Sequence, residues 1–365
     1  MKLIKYISTI ILISFGSLAQ AGMFDRYVAI GDSISHGMQG YSVEKSRQKM
    51  SYPARLAEKM GTQFNQPYIL FSGSAPNPED KLKGNIKWYH WYYFTAPGGY
   101  RENYYDNQSE LNNFSVSGAT LDDLLHRPGD KNHALKVLSI DGEPQLIQAL
   151  KRNPTFITIT AGMNDIMNFA FLNDIESSPT PEEFRKNLDE LVAKIKATSS
   201  VQGVAISNVP DIILMPVFVS AEEDGHPKGS KKMFYLKDTT GIDDAVSTPD
   251  EIAFMQARVA GYNVEIKKVA EENGWALIDL YESVKKESHQ LIDANCEKTD
   301  RVVTKDYLGG VFSLDGLHPT AIGQSLFANL YISAINKTYG TTLGCVDEYK
   351  TSQNDTLYTN PVDPR

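Results

Sequence analysis

The chain has 365 residues, 41% of them hydrophobic, and a formal charge of -9 at pH 7. That length suits one large domain with insertions, or two small ones. The acidic balance, without any basic stripe, argues against a nucleic-acid partner, and no segment beyond the N-terminal stretch is apolar enough for a membrane-spanning helix.

Lys2 and Lys5 precede an apolar run from Ile7 to Leu18, and Ala19-Gln20-Ala21 has the small-x-small form of a signal-peptidase site. Residues 1–21 therefore read as an export leader, with an uncleaved anchor as the alternative. Cleavage would start the mature chain near Gly22 and leave the protein secreted or periplasmic. Next comes a short apolar run, Tyr27–Ile30, followed by Gly31-Asp32-Ser33-Ile34-Ser35-His36-Gly37. Further runs of the same kind lie at Phe156–Thr160, Val201–Ile206 and Trp275–Leu280. Continuous rather than alternating runs predict strands buried on both faces, as in a parallel sheet.

Helical patterns fall between these runs. Phe184, Leu188, Leu191 and Ile195 form one stripe, and Ile252, Met255, Val259, Tyr262, Ile266 and Val269 a longer one. Thr180-Pro181-Glu182-Glu183 and Thr248-Pro249-Asp250-Glu251 each supply a capping threonine, a proline at the first helical position and a glutamate at the third. Gly274 is placed to end the second helix, and a last helix is expected over Ala321–Ile335. Strands alternating with helices predict an α/β fold with a central parallel sheet covered on both faces.

Two stretches break the alternation. Residues 62–112 are rich in aromatics, among them Trp88, Trp91, Tyr92 and Phe94, and residues 211–247 start apolar and turn charged. Both read as insertions. The first is either an acyl-chain or sugar platform or an ordinary core beneath a long loop. Within the second, residues 211–219 are either an apolar lid or a buried strand extension. The domain so delimited covers 22–340, and 341–365 reads as a polar C-terminal tail.

Ligands of parallel sheets sit at the C-terminal ends of the strands, where the chemistry-bearing residues gather. Ser33 stands at a strand-to-helix turn, so its amide can face a developing negative charge. A helix cap is the plain alternative for the Gly-Asp-Ser turn. Ser117-Gly118-Ala119-Thr120 ends a further short strand, and Gly118 offers a backbone amide. Gly162-Met163-Asn164-Asp165 follows the second strand, with the Asn164 side chain as a second donor. Asp315 and His318, three residues apart, supply an acid and a base. A serine hydroxyl needs such a base, and an oxyanion needs such donors. His36 is the rival base, or else a residue of the first turn or the pocket rim. Asp32 and Asp165 read as caps or acceptors for neighbouring amides. Cys296 and Cys345, the two cysteines, bracket the Asp315–His318 segment. Joined, they would staple that segment to the final helix; otherwise they are two unpaired thiols.

The four segments at 31–33, 117–120, 162–165 and 315–319 resemble, in order and spacing, the blocks of the SGNH (or GDSL) hydrolases. The resemblance spans residues 27–335. It implies a three-layer α/β/α, flavodoxin-like fold with loop insertions, and ester hydrolysis through an acyl-enzyme without a cofactor or metal. It also implies Ser33 as nucleophile, His318 as base and Asp315 as its orienting acid. The Ser33 and Gly118 amides and the Asn164 side chain would form the oxyanion hole. The serine block continues as Ile34-Ser35-His36-Gly37 rather than in the form usual for the phospholipase and haemolysin branch, and with Ser51–Ala57 it is more similar to secreted single-domain lipases and esterases. A small-molecule or lipid ester is the implied partner, with peripheral contact to a lipid surface possible. An acyltransferase acting on a lipid or sugar hydroxyl, and a binding module on a degenerate scaffold, are the competing readings.

Overall fold

The computed structural model describes residues 22–40, 43, 45–68, 111–126, 143–172, 178–233 and 246–355. The leader at 1–21 and the aromatic cluster at 88–105 lie outside the described residues. Four parallel strands form the central sheet: β1 (Tyr27–Gly31), β2 (Phe156–Thr160), β3 (Gly203–Ser207) and β7 (Ala276–Ile278), in the order β1-β2-β3-β7. Every residue of β1, β2 and β3 is buried. This is the burial their uninterrupted apolar runs require.

The helices fall into two groups, one on each face. α1 (Ser33–His36) is the single turn after β1. On one face α2 (Tyr52–Met60) packs against α9 (Ala321–Tyr339), with the Tyr52 and Tyr331 rings stacked 4.4 Å apart. The other face carries α3 (Leu121–Leu125), α4 (Gln145–Leu150), α5 (Met163–Leu172), α6 (Pro181–Lys196) and α7 (Pro249–Asn273). There Phe184 of α6 stacks on Tyr262 of α7 at 4.3 Å. Both expected capping boxes form: Thr180 and Thr248 accept from the Glu183 and Glu251 amides, and the glutamates accept from the threonine amides. Gly274 ends α7 in the left-handed conformation. The covered parallel sheet is the α/β/α arrangement expected from the sequence.

Three parts differ from their sequence reading. The segment before Gly118 is not a regular strand, although it runs beside β1: Ala29 N–H donates to Asn112 O, Phe114 N–H to Ala29 O and Val116 N–H to Gly31 O. Asparagine side chains replace part of the ladder. Asn112 Nδ2 donates to Tyr27 O, and Asn113 Oδ1 accepts from Ser115 N–H. Such local side-chain bonds compete with strand pairing.

The described part of 211–247 does not extend the main sheet. It forms a 3-10 turn at Ile212–Leu214 and a small antiparallel sheet of β4 (Phe218–Ser220), β5 (Lys231–Met233) and β6 (Val246–Ser247). Ile212, Ile213 and Met215 are buried.

Finally, the polar stretch after Gly344 carries regular structure among its described residues. After α8 (Leu280–Lys285), the chain makes a hairpin of β8 (Ser288–Ile292) and β9 (Lys298–Thr304), and α10 (Glu348–Asn354) closes against it. Asp347 caps α10 by accepting from Lys350 N–H, while Glu348 is buried and accepts from Ile292 N–H.

Cys296, at the hairpin turn, and Cys345, just before α10, are joined as a disulfide across 49 residues. Closing a loop of that length constrains the unfolded chain by about 4 kcal/mol in the chain-entropy picture. Cys345→Ser should therefore lower the unfolding free energy by about 2–4 kcal/mol, read as a lower urea midpoint. An unchanged midpoint would show that the staple adds nothing.

Candidate active site

The site is built where β1, the 111–116 segment and β2 all end. Gly31 leaves β1 with φ of +150°, and a Cβ there would lie 2.5 Å from Thr160 O and 2.6 Å from Ser35 Oγ. Only glycine lets the chain turn this tightly against β2. Asp32 then caps α1 by accepting from Ile34 N–H at 2.9 Å. Ser33 becomes the first helical residue, whose amide has no acceptor within its own helix.

His318 Nε2 lies 2.9 Å from Ser33 Oγ, although the two residues are 285 positions apart in sequence. On the other side of the ring, His318 Nδ1 donates to Asp315 Oδ2 at 2.9 Å. That bond assigns the ring proton to Nδ1 and leaves Nε2 to accept from the serine hydroxyl. Ser33 and His318 are each 4% exposed and Asp315 is fully buried. Asp315 Oδ1 meanwhile accepts from the Leu317 and His318 amides, both at 2.8 Å. One carboxylate thus shapes the loop with one oxygen and orients the imidazole with the other.

The loop carrying these two residues is also held from outside. Ser313 N–H donates to His318 O, Gly40 N–H to Ser313 Oγ, and Tyr307 Oη to Leu314 O. Val217 N–H, from the 211–247 insertion, donates to Gly316 O at 3.0 Å. Sequence reasoning missed Val217, Tyr307 and Gly40. The Val217 and Gly40 bonds are made by backbone groups, so side-chain identity carries no signal for them.

The two candidate oxyanion-donor loops are clipped together. Asn164 Nδ2 donates to Ala119 O at 3.0 Å, and Asp165 Oδ2 accepts from Leu121 N–H at 3.0 Å. One Asn164 proton therefore holds the Gly118 loop, and its NH2 group retains a second. Gly118 sits at φ +83°, and Thr120 caps α3 in a capping box with Asp123. Gly162 opens the second loop at φ +100°, where a Cβ would lie 2.5 Å from Val209 Cγ2.

His36 is the last residue of α1 and is fully buried, not at a rim. Its Nδ1 accepts from Ser117 N–H at 3.3 Å and lies 3.0 Å from Ser117 Oγ. It thus ties the nucleophile turn to the residue before Gly118. His318, not His36, is the imidazole bonded to Ser33.

Two buried carboxyls border these loops. Burial pushes Asp32 up to about 7, against the opposing pull of the Ile34 amide and His318. Among the described residues, Asp32 Oδ2 has no hydrogen-bond partner. Burial likewise pushes Asp165 up to about 7, opposed by the Leu121 amide and reinforced by Asp123. Because the folded value lies above the unfolded one, Asp165 stabilises the fold fully only at low pH. That contribution is lost as pH rises from about 4 through about 7. Asp165→Asn keeps an oxygen for the Leu121 amide and removes the charge. The stability gain over the parent should be near zero at pH 4 and grow to on the order of 4 kcal/mol at pH 8. Paired thermal melts across that range measure it, and a gain independent of pH would contradict the assignment.

The sequence model of the GDSL-like lipase/acylhydrolase family matches residues 27–331, from the first residue of β1 into α9. The chain belongs to the GDSL-like lipase/acylhydrolase family. No curated protein sequence matches this GDSL-like hydrolase significantly. Among solved structures it is similar to LAE5, an α/β hydrolase enzyme from the metagenome of Lake Arreo, Spain. Identity is 19% and the TM-score 0.40, over 86% of this chain and 97% of that one. It is also similar to a catalytic mutant of the acetylxylan esterase Axe2 from Geobacillus stearothermophilus. There identity is 13% and the TM-score 0.42, over 87% of this chain and 95% of that one.

Proposed function

We propose that the protein is an exported serine carboxylic-ester hydrolase working through an acyl-enzyme. The observation that carries this reading is the relay from Asp315 Oδ2 through His318 to Ser33 Oγ, with both links at 2.9 Å. His318 Nε2 takes the Ser33 proton as Oγ attacks the ester carbonyl. The oxyanion is met by the Ser33 and Gly118 amides and the Asn164 side chain. The alcohol leaves with the proton held on Nε2, and water, activated by the same nitrogen, then releases the acid. The His36–Ser117 and Asn164–Ala119 bonds support this reading by giving the donors fixed positions, which is what makes electrostatic stabilisation effective.

A fluorophosphonate probe should label the full chain at Ser33 and fail to label Ser33→Ala, with loss of aryl-ester hydrolysis in the same variant. Labelling and hydrolysis that both survive the substitution would overturn the mechanism. Hydrolysis, as opposed to acyl transfer, predicts free acid as the main product even with an added alcohol acceptor. A chain-length series of aryl esters beside a phospholipid and an acetylated sugar would define the substrate. Export predicts a mature N-terminus near Gly22, read by sequencing the protein recovered outside the cytoplasm.

Asn164→Ala removes one oxyanion donor together with the clip to Ala119. It should cost about 10²–10³ in kcat, seen in steady-state kinetics with little change in KM. A kcat unchanged within twofold would exclude Asn164 from the oxyanion site.

A further inference from the structure

A cavity of about 180 Å³ opens between α8, the β8–β9 hairpin, α9 and α10, and none of Ser33, Gly118, Asn164, Asp315 or His318 lines it. Its walls are mainly apolar, with Val284, Phe312, Leu326 and Leu330 supplying much of the surface. Phe312 directly precedes the loop that carries the acid and histidine, so an occupant would touch the base of that loop without entering the site.

The polar groups around this apolar space have an unequal balance. Glu348 forms part of the wall but is already saturated. It accepts from His289 Nε2 at 3.0 Å, from Ile292 N–H at 2.9 Å and from Asn329 Nδ2 at 2.7 Å. Lys305 also lines the space, and its side chain is only 15% exposed. Its partner Glu287 is 78% exposed, and a carboxylate that wet holds a lysine weakly and is easily displaced. Lys286 lines the cavity too and makes no ion pair among the described residues. Two lysines line this apolar space, Lys305 with its side chain largely buried and Lys286 exposed at the surface. Such cations beside apolar walls favour a ligand with an anionic head and an apolar body. The volume limits that body: a cavity of about 150 Å³ accepts benzene, so this one suits a chain of roughly six carbons.

We propose that this cavity is a second, non-catalytic binding site for a short-chain carboxylate, its head on Lys305 and Lys286 and its alkyl chain among Val284, Phe312, Leu326 and Leu330. Such an acid is the chemical class that ester hydrolysis at Ser33 releases, so the link to turnover rests on the proposed function.

The test is titration calorimetry of the full-length Ser33→Ala variant with sodium hexanoate and, separately, with hexan-1-ol. Binding is then read on a protein that does not turn over, so failure of the ester mechanism and failure of this site are distinguishable. Hexanoate should bind saturably and at least tenfold more tightly than the alcohol. Lys305→Met in the same background should weaken hexanoate at least tenfold, and Leu330→Trp, which fills the cavity, should abolish binding. Lys305→Met in the parent should leave aryl-ester hydrolysis within twofold. A near-UV circular dichroism spectrum identical to the parent's certifies the fold of each variant, and Lys305→Met alone decides the question where Leu330→Trp does not fold. Absence of saturable hexanoate binding, equal binding of the alcohol, or an affinity unmoved by Lys305→Met would overturn the proposal.

Discussion

Ser33→Ala should lower kcat for a short-chain aryl ester by about 10⁶-fold, and His318→Ala should do nearly the same. The argument lies in the geometry of the relay. Among the described residues, Ser33 Oγ has one basic nitrogen at hydrogen-bond distance, His318 Nε2. Removing either the oxygen or the nitrogen removes the whole nucleophile, because each is useless without the other. The double variant should accordingly be no slower than the worse single one, since groups acting as a unit do not add. Residual turnover would come from the donors at Gly118 and Asn164 and from binding alone. His36→Ala is the internal control. It breaks the tie to Ser117 and should cost far less than His318→Ala. If His36→Ala is the more damaging of the two, the assignment of the base fails.

Asp315→Asn should cost about 10⁴-fold in kcat while leaving the protein folded, and the reason is a conflict over two atoms. Asp315 Oδ1 accepts from the Leu317 and His318 amides, and Oδ2 from His318 Nδ1. An asparagine that keeps its oxygen on the two amides must turn its NH2 toward Nδ1. The ring proton then moves to Nε2, and that nitrogen, facing Ser33, can no longer accept the hydroxyl proton. Asp315→Ala would also release both loop amides, so its loss mixes orientation with loop disorder. The asparagine isolates the orientation. A rate within tenfold of the parent for a folded Asp315→Asn would mean that the imidazole is oriented without the acid.

The sheet and the long helices were legible because their signals are local. Continuous apolar runs marked β1, β2, β3 and β7, and the Thr-Pro-x-Glu boxes fixed the starts of α6 and α7 to the residue. Ser33, His318 and Asp315 were legible as a set, because each falls in a recognisable block and the blocks follow in order. What stayed hidden depends on tertiary partners. The 111–116 segment pairs with β1 through asparagines that read as loop residues. The hairpin of β8 and β9 is largely polar in sequence and buries only Leu291 and Val303 fully, so apolar residues do not alternate along it in the way that marks a half-buried strand. α10 is polar by composition. Asp347 before it was an available cap signal, but burial of Glu348 against the hairpin cannot be read from neighbours in sequence.

The bond from Val217 N–H to Gly316 O sets different rules for changing and for shortening the insertion that contains it. The donor is main chain, so the bond itself excludes only proline at position 217, while burial of Val217 limits the rest to apolar side chains of similar size. Side chains around it are likewise interchangeable only within the apolar set that burial of Ile212, Ile213, Met215 and Phe218 requires. The path of the backbone has no such latitude: a deletion between Asp211 and Phe218 would withdraw the amide and loosen the base from behind. For anyone exchanging this segment between relatives, the safe joints lie beyond β4. Substitution there is a question of packing, whereas excision reaches the loop that holds His318.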